Sequence, residues 1–252
     1  MSHATPALLG ILGGLGPMST VCFYEMLTSH TFATSDKEHI DMVISSRATT
    51  PDRTAYILGR SDLNPLPVMI EEARKLTAYG ADLLAVPCNT AHYFYDALRA
   101  SVSVPILNII EETVSLLARM KVRQVGILAT EGTVCAGAYH KVCRAHGITA
   151  VAPPPEDQKR LNTLIYDTIK SGRRPRAEDL ERIGRPLLRN GCERLILGCT
   201  ELSLIKRDCG LEDYIYVDST EVLALRTILR CGKTPIGFSD ELLTLAAETT
   251  TR

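Results

Sequence analysis

The chain reads as α/β: two pseudo-symmetric domains, each a parallel sheet flanked by helices. Three observations predict this. Short apolar runs alternate with longer amphipathic stretches, the pattern occurs twice along 252 residues, and each copy ends one strand-like run in a cysteine.

Taken in order, the apolar runs with strand character are residues 8–12, 40–45, 83–86, 125–128 and 195–197. Between them lie helical candidates at 67–79, 90–100, 111–120, 136–146 and 157–171. Their apolar residues return at i, i+3 and i+4: Ala91, Phe94 and Tyr95 in the second, Tyr139, Val142 and Cys143 in the fourth, Leu161, Leu164 and Ile165 in the last.

The duplication is legible residue by residue. G-I-L-G at 10–13 returns as G-I-L-A at 126–129, and G-A-D-L-L-A-V-P-C ending at Cys88 returns as G-C-E-R-L-I-L-G-C ending at Cys199. Gly80 precedes Cys88 by the interval that separates Gly191 from Cys199. Each half is of roughly a hundred residues, an ordinary domain size. V-P-I-L at 104–107 is the expected crossing into the second half, and the C-terminal stretch is expected to return to the first. The expected domains are therefore 1–103 with 216–252, and 104–215.

Composition excludes several classes. The chain carries 28 basic against 29 acidic residues, with no cationic run to follow a phosphate backbone. Trp is absent and aromatics are 5%, so nucleic acid is not an expected partner. The N-terminal M-S-H-A-T-P lacks the basic start of a signal peptide, and every apolar run breaks too early to span a bilayer, so the expectation is a soluble, cytoplasmic protein. Eight cysteines without a C-x-x-C pair argue against a disulfide framework and against a zinc cluster.

Cys88 and Cys199 stand apart from the other six. Each ends a strand and is followed by residues that start helices, Asn89 and Thr90 or Thr200 and Glu201. Ligands of open α/β sheets sit outside the carboxyl ends of the strands, so both sulfurs are expected at one crevice. A helix N-terminus draws a thiol pKa down from about 8.5. One sulfur as thiolate base and the other as thiol acid could take a proton from one face of a carbon and return one to the other face. A single strand-end cysteine is more often packing than chemistry; the matched context of this pair is what packing leaves unexplained.

Other candidates are weaker. G-G-L-G-P at 13–17 opens a helix with Pro17 at its first position and offers backbone amides to an anion, but it lacks the third glycine of a dinucleotide fingerprint. Arg53, in T-P-D-R-T, could grip a carboxylate through two parallel hydrogen bonds. Lys159 falls in the first turn of a predicted helix, where the macrodipole disfavours a cation, and so points to a facing anion. Thr130 and Thr133, in A-T-E-G-T, match the glycine-rich loop of the first half by position, and His92 reads as a satisfied helix residue.

Together these motifs resemble the aspartate/glutamate racemase family, which inverts acidic amino acids without pyridoxal phosphate. The resemblance runs through G-G-L-G-P, P-D-R-T-A-Y-I-L-G at 51–59, C-N-T-A-H at 88–92, G-I-L-A-T-E-G-T at 126–133, P-P-E-D-Q-K at 154–159 and G-C-T-E-L at 198–202. It implies an active site at the interface of the two domains, no cofactor or metal, and a homodimer. It further implies Cys88 and Cys199 as the acid/base pair, and Asn89, Thr90, Thr130, Thr133 and Thr200 on the amino and α-carboxylate groups. Arg53 and Lys159 are expected at the distal carboxylate, with Glu201 among the substrate-facing residues. Glutamate racemases carry histidine where this chain has Glu201, which favours aspartate; Leu15 stands where most members have methionine.

Other readings share the fold: a glutamate or broad-specificity racemase, a maleate isomerase, a hydantoin racemase, or a malonate decarboxylase, which needs only one cysteine. A sensor of acidic amino acids or a thiol redox protein would use the same crevice without inverting a centre.

Overall fold

The computed structural model describes residues 7–211 and 214–247. The first half runs β1 (Leu9–Gly13), α1 (Pro17–Ser29), β2 (Met42–Ser46), α2 (Arg53–Ile57), α3 (Leu66–Tyr79), β3 (Leu83–Ala85), α4 (Tyr95–Ala100) and β4 (Ile106–Leu107). Then come α5 (Ile109–Arg119), β5 (Gln124–Ala129), α6 (Glu131–Cys135), α7 (Ala138–Ala145), β6 (Thr149–Val151), α8 (Pro155–Thr163) and α9 (Ala177–Arg189). The chain closes with β7 (Arg194–Gly198), α10 (Thr200–Cys209), β8 (Tyr216–Asp218), α11 (Ser219–Arg230) and α12 (Asp240–Ala247).

Two four-stranded sheets result, ordered β2-β1-β3-β4 and β6-β5-β7-β8, with every named pairing parallel. The second repeats the first strand for strand, and the repeat extends to packing. A Cβ placed on Gly10 would meet Leu84 Cδ2 at 2.5 Å and Leu76 Cβ at 3.3 Å; one on Gly126 would meet Leu195 Cδ2 at 2.5 Å and Leu187 Cβ at 3.3 Å. In both halves a bare backbone on β1 or β5 lets the helix that leads into the neighbouring strand, α3 before β3 or α9 before β7, lie close on the sheet.

One buried cluster joins the halves. It includes Leu9 and Phe23 of the first, Ile127 and Cys143 of the second, and the shared residues Val114 of α5 and Leu223 of α11. Two smaller clusters lie under the outer helices of each sheet. Helix α11 packs on both α1 and α5, so each sheet buries one face against the common core. Among the described residues no helix is long and apolar enough to cross a membrane.

The expected division of the chain differs from the sheets by one strand at each boundary. β4 pairs with β3, Leu84 opposite Ile106, and so belongs to the first sheet; β8 pairs with β7, Leu197 opposite Asp218, and belongs to the second. The return to the first half is made after β8, by α11 against α1 and by a bridge of Thr31 with Pro235. Pairing partners of two- and three-residue strands carry no periodic signal, so the sequence does not place them.

Two expected helices are interrupted, and a third, 136–146, forms as α7 with a glycine at its start. Residues 90–100 begin as a 3-10 turn, Thr90–Phe94, before α4. Gly137, with a φ of 66°, separates α6 from α7. The stretch 157–171 passes from α8 into a π-helical turn, Leu164–Ile169.

Glu72 ties α3 to the edge strand. It accepts from Ser45 Oγ at 2.6 Å and pairs with Arg47 at 2.7 Å and Lys75 at 2.9 Å. Burial acts to raise its carboxyl, but the hydrogen bonds from Ser45, Lys75 and Arg47 outweigh it and bring the pKa from 4.5 to about 2. A folded value below the unfolded one gives stability that is complete above pH 4.5 and is lost as pH falls toward about 2. Glu72→Gln is expected to remove that acid limb and to cost about 1–3 kcal/mol at neutral pH, read from urea unfolding at neutral pH and on the acid side.

Candidate active site

Gly80 and Gly191, both with left-handed backbone (φ 112° and 91°), turn α3 and α9 into β3 and β7. Cys88 and Cys199 follow at the same interval from each glycine. Cys199 stands at the N-cap of α10; Cys88 follows Pro87, which has no N–H to extend the β3 ladder, and leads into the 3-10 turn. The two thiols are 6% and 5% exposed and line one closed pocket with about 10 Å³ of free space, room for about one water.

The walls are polar. Thr90 Oγ1 lies 3.0 Å from Thr130 Oγ1 and 2.9 Å from Thr133 Oγ1, and Thr130 and Thr133 are 3.0 Å apart. This ring of hydroxyls joins the two halves, with Thr130 also capping α6. Behind it Gly132 lies against Thr54, whose Cα a Cβ there would meet at 2.9 Å. Asn89 is fixed at both ends: its Nδ2 donates to Ser219 Oγ at 2.9 Å and its Oδ1 accepts from Tyr139 Oη at 2.7 Å. Arg53 is buried, donating to the carbonyls of Leu15 (2.7 Å), Pro51 (3.0 Å) and Thr50 (3.3 Å), while its Nε keeps no partner.

Charge enters on the Cys199 side. Cys199 Sγ donates to Glu201 Oε2 at 3.0 Å, and Glu201 Oε1 lies 3.2 Å from Lys170 Nζ, an ion pair without the alignment of a hydrogen bond. Burial first, and then the Glu201 carboxylate, push the Cys199 thiol well above its ordinary range. At Cys199 a carboxylate in contact and loss of solvent oppose the pull of the helix N-terminus, which is only a partial charge. Burial works against the charge on Lys170, but Glu201 and then Cys199 and Cys88 hold its pKa above the ordinary value. Tyr166, under Lys170 Nζ at 5.1 Å from the ring centre, is pushed up to about 12 by burial.

Of the sequence-derived set, Cys88, Cys199, Arg53, Asn89, Thr90, Thr130, Thr200 and Glu201 line this pocket, and Thr133 stands directly behind Thr90. Lys159 does not. It is exposed on α8, on a separate surface cleft with Arg160 and Asp179. Lys170 supplies the pocket's lysine instead, with Tyr166 one turn before it. The π-helical turn over Leu164–Ile169 carries Tyr166 and is capped by Lys170, and π turns often mark functional sites. The sequence hint was their i, i+4 spacing opposite the buried Leu164, Ile165 and Ile169.

The G-G-L-G-P loop acts through its carbonyl and its missing side chains. The Gly14 amide is taken by Thr20 Oγ1 at 2.9 Å, Leu15 O holds Arg53, and a Cβ on Gly16 (φ 137°) would meet Glu201 Oε1 at 2.5 Å. His92 is buried: Nδ1 lies 2.9 Å from Cys88 O and Nε2 accepts from Ile109 N at 3.2 Å. Burial lowers its pKa, so it stays neutral and structural.

A family model for Asp/Glu/hydantoin racemases matches residues 12–227. The chain belongs to this family. It is 28% identical over 225 residues to the broad specificity amino-acid racemase RacX of Bacillus subtilis, covering 88% of this chain and 96% of that protein. Among solved structures it is similar to Picrophilus torridus aspartate racemase, with a TM-score of 0.78 and 28% identity over 95% of this chain and 99% of the other. The glutamate racemase of Francisella tularensis, solved with D-glutamate, has a TM-score of 0.61 at 16% identity, covering 98% and 94% of the two chains, a likeness of fold. Two four-stranded parallel sheets flanked by helices are this racemase family's architecture, as the resemblance implied.

Tyr139 is buried inside the second half and holds Asn89 from behind. Tyr139→Phe is expected to leave Asn89 Oδ1 without its donor and to cost about 1–3 kcal/mol of stability, measured by urea unfolding; an unchanged midpoint would deny the bond any weight.

Proposed function

We propose that the protein racemises an α-amino acid without a cofactor, using Cys88 and Cys199 as its two acid/base groups. The observation that carries this reading is the pair of thiols at matched strand ends, lining one closed pocket together with Asn89, Thr90, Thr130 and Thr200. In this reading one sulfur removes the α-proton and the other delivers a proton to the opposite face. The hydroxyl and amide donors, fixed in advance, stabilise the charge that develops beside the α-carboxylate. Because the free space matches only one water, the halves part to admit the substrate and close to exclude solvent.

For the side chain, aspartate is the first choice, supported by two cations at the pocket, Arg53 with its free Nε and Lys170. A broader specificity, including glutamate, is the second. Glu201 already pairs with Lys170, and a neighbouring cavity of about 370 Å³, lined by Met18, Ala48, Ile169 and Leu204, has room for a longer side chain. Eight free thiols suit a reducing cytoplasm. A homodimer belongs to the same reading, supported by the exposed face of α1 at Met18, Val21 and Tyr24.

The test follows L-aspartate, L-glutamate and a set of neutral amino acids in deuterated water without pyridoxal phosphate. The expected result is the D-isomer carrying deuterium at the α-carbon, with Cys88→Ala and Cys199→Ala each lowering the rate by about 10²–10⁴-fold. Label and inversion absent from every amino acid would sink the reading, and inversion that survives loss of either sulfur would sink the mechanism.

A further inference from the structure

Duplication makes the two thiols look equivalent, but their surroundings are not. We infer that Glu201 is a positioning residue that breaks the symmetry: it keeps the proton on Cys199, the donor, and leaves the part of the base to Cys88. The inference rests on the two-thiol reading above and adds a polarity to it.

Burial does not distinguish the sulfurs, which are 6% and 5% exposed. Lys170 does not either, since its charge is coupled to both thiols. Glu201 does. Its Oε2 accepts from Cys199 Sγ at 3.0 Å, whereas among the described residues no carboxylate accepts from Cys88. The other charged groups at the pocket are Arg53, engaged with three backbone carbonyls, and Asp52, whose Oδ1 caps α2 by accepting from Ala55 N at 2.6 Å. Tyr166 stays protonated.

The carboxylate is held in place from three sides. Cys199 takes Oε2, Lys170 Nζ stands 3.2 Å from Oε1, and the left-handed Gly16 brings the loop to a point where a Cβ would lie 2.5 Å from Oε1. A thiolate at Cys199 would face this anion at contact distance, so the single proton shared by the sulfurs resides there. Cys88 shares the pocket with Lys170 and has no carboxylate against it among the described residues.

The proton count closes. In the first half-turnover Cys88 S⁻ takes the α-proton and becomes the thiol, the electron pair stays on the α-carbon, and Cys199 S–H protonates the opposite face and becomes the thiolate. Resetting requires a proton to reach Cys199 and one to leave Cys88. Asp52, Arg53, Lys170 and Glu201 line both this pocket and the adjoining 370 Å³ cavity, and Glu201, in contact with Cys199, lies on the connection through which solvent returns its proton.

The experiment needs no substrate. Native enzyme is treated with limiting iodoacetamide at neutral pH and the two cysteine peptides are quantified by mass spectrometry, thiolate being the reactive form. Cys88 is expected to be labelled at least about tenfold ahead of Cys199, whose proton Glu201 retains. In Glu201→Gln, whose amide can donate to a thiolate, the preference is expected to vanish or invert. If circular dichroism finds that variant unfolded, Glu201→Asp, which withdraws the carboxylate from the sulfur, is expected to narrow the ratio in the same direction. Cys199 labelled first, neither cysteine labelled before unfolding, or a ratio unchanged in a folded variant overturns the inference. A protein that racemises but labels both sulfurs equally keeps the two-thiol reading and loses this one; a protein with the labelling preference and no racemisation does the reverse.

Discussion

Three threonine hydroxyls, Thr90 from one half and Thr130 and Thr133 from the other, meet within 3.0 Å, and the rest of the site depends on that contact. A hydroxyl can donate and accept, so the ring satisfies itself without water and allows two polar strand ends to be buried against each other. Gly132, without a side chain, lets the second half approach Thr54 of the first. With the seam fixed at hydrogen-bond length, Cys88 and Cys199 end in the same small pocket rather than on two separate surfaces.

The scaffold around this seam is duplicated, and the duplication is physical as well as textual. Gly10 and Gly126 admit their helices with nearly identical clearances, and the two sheets share one strand order. The chemistry added to it is not duplicated. Cys199 alone has a carboxylate in contact, Glu201 of α10, and the π turn that precedes Lys170 has no counterpart in the first half among the described residues. The frame is symmetric, and the charge set beside its two thiols is not.

Legibility followed the range of the interaction. The alternation of strands and helices, the repeat and the two cysteines were readable because burial patterns of period two or 3.6 and strand-end positions are local properties. The assignment of β4 and β8 was not, because two- and three-residue strands are placed by the neighbour that offers an open edge. Lys159 attracted attention through an unfavourable place in a first helical turn, yet it faces an outer cleft. Lys170 escaped because it caps a π turn, a departure from the helical period.

By itself, then, the sequence determined a twofold α/β frame, a thiol at the end of one strand in each half, and hydroxyl residues beginning the helices after them. These follow from patterns within a few residues, which act on the chain before it is folded. Tertiary structure alone decided which lysine reaches the thiols, how Arg53 is committed to backbone carbonyls, and that Glu201 touches one sulfur and not the other. Such choices are set by contacts a few ångströms long between segments distant in the chain, and only packing brings those segments together.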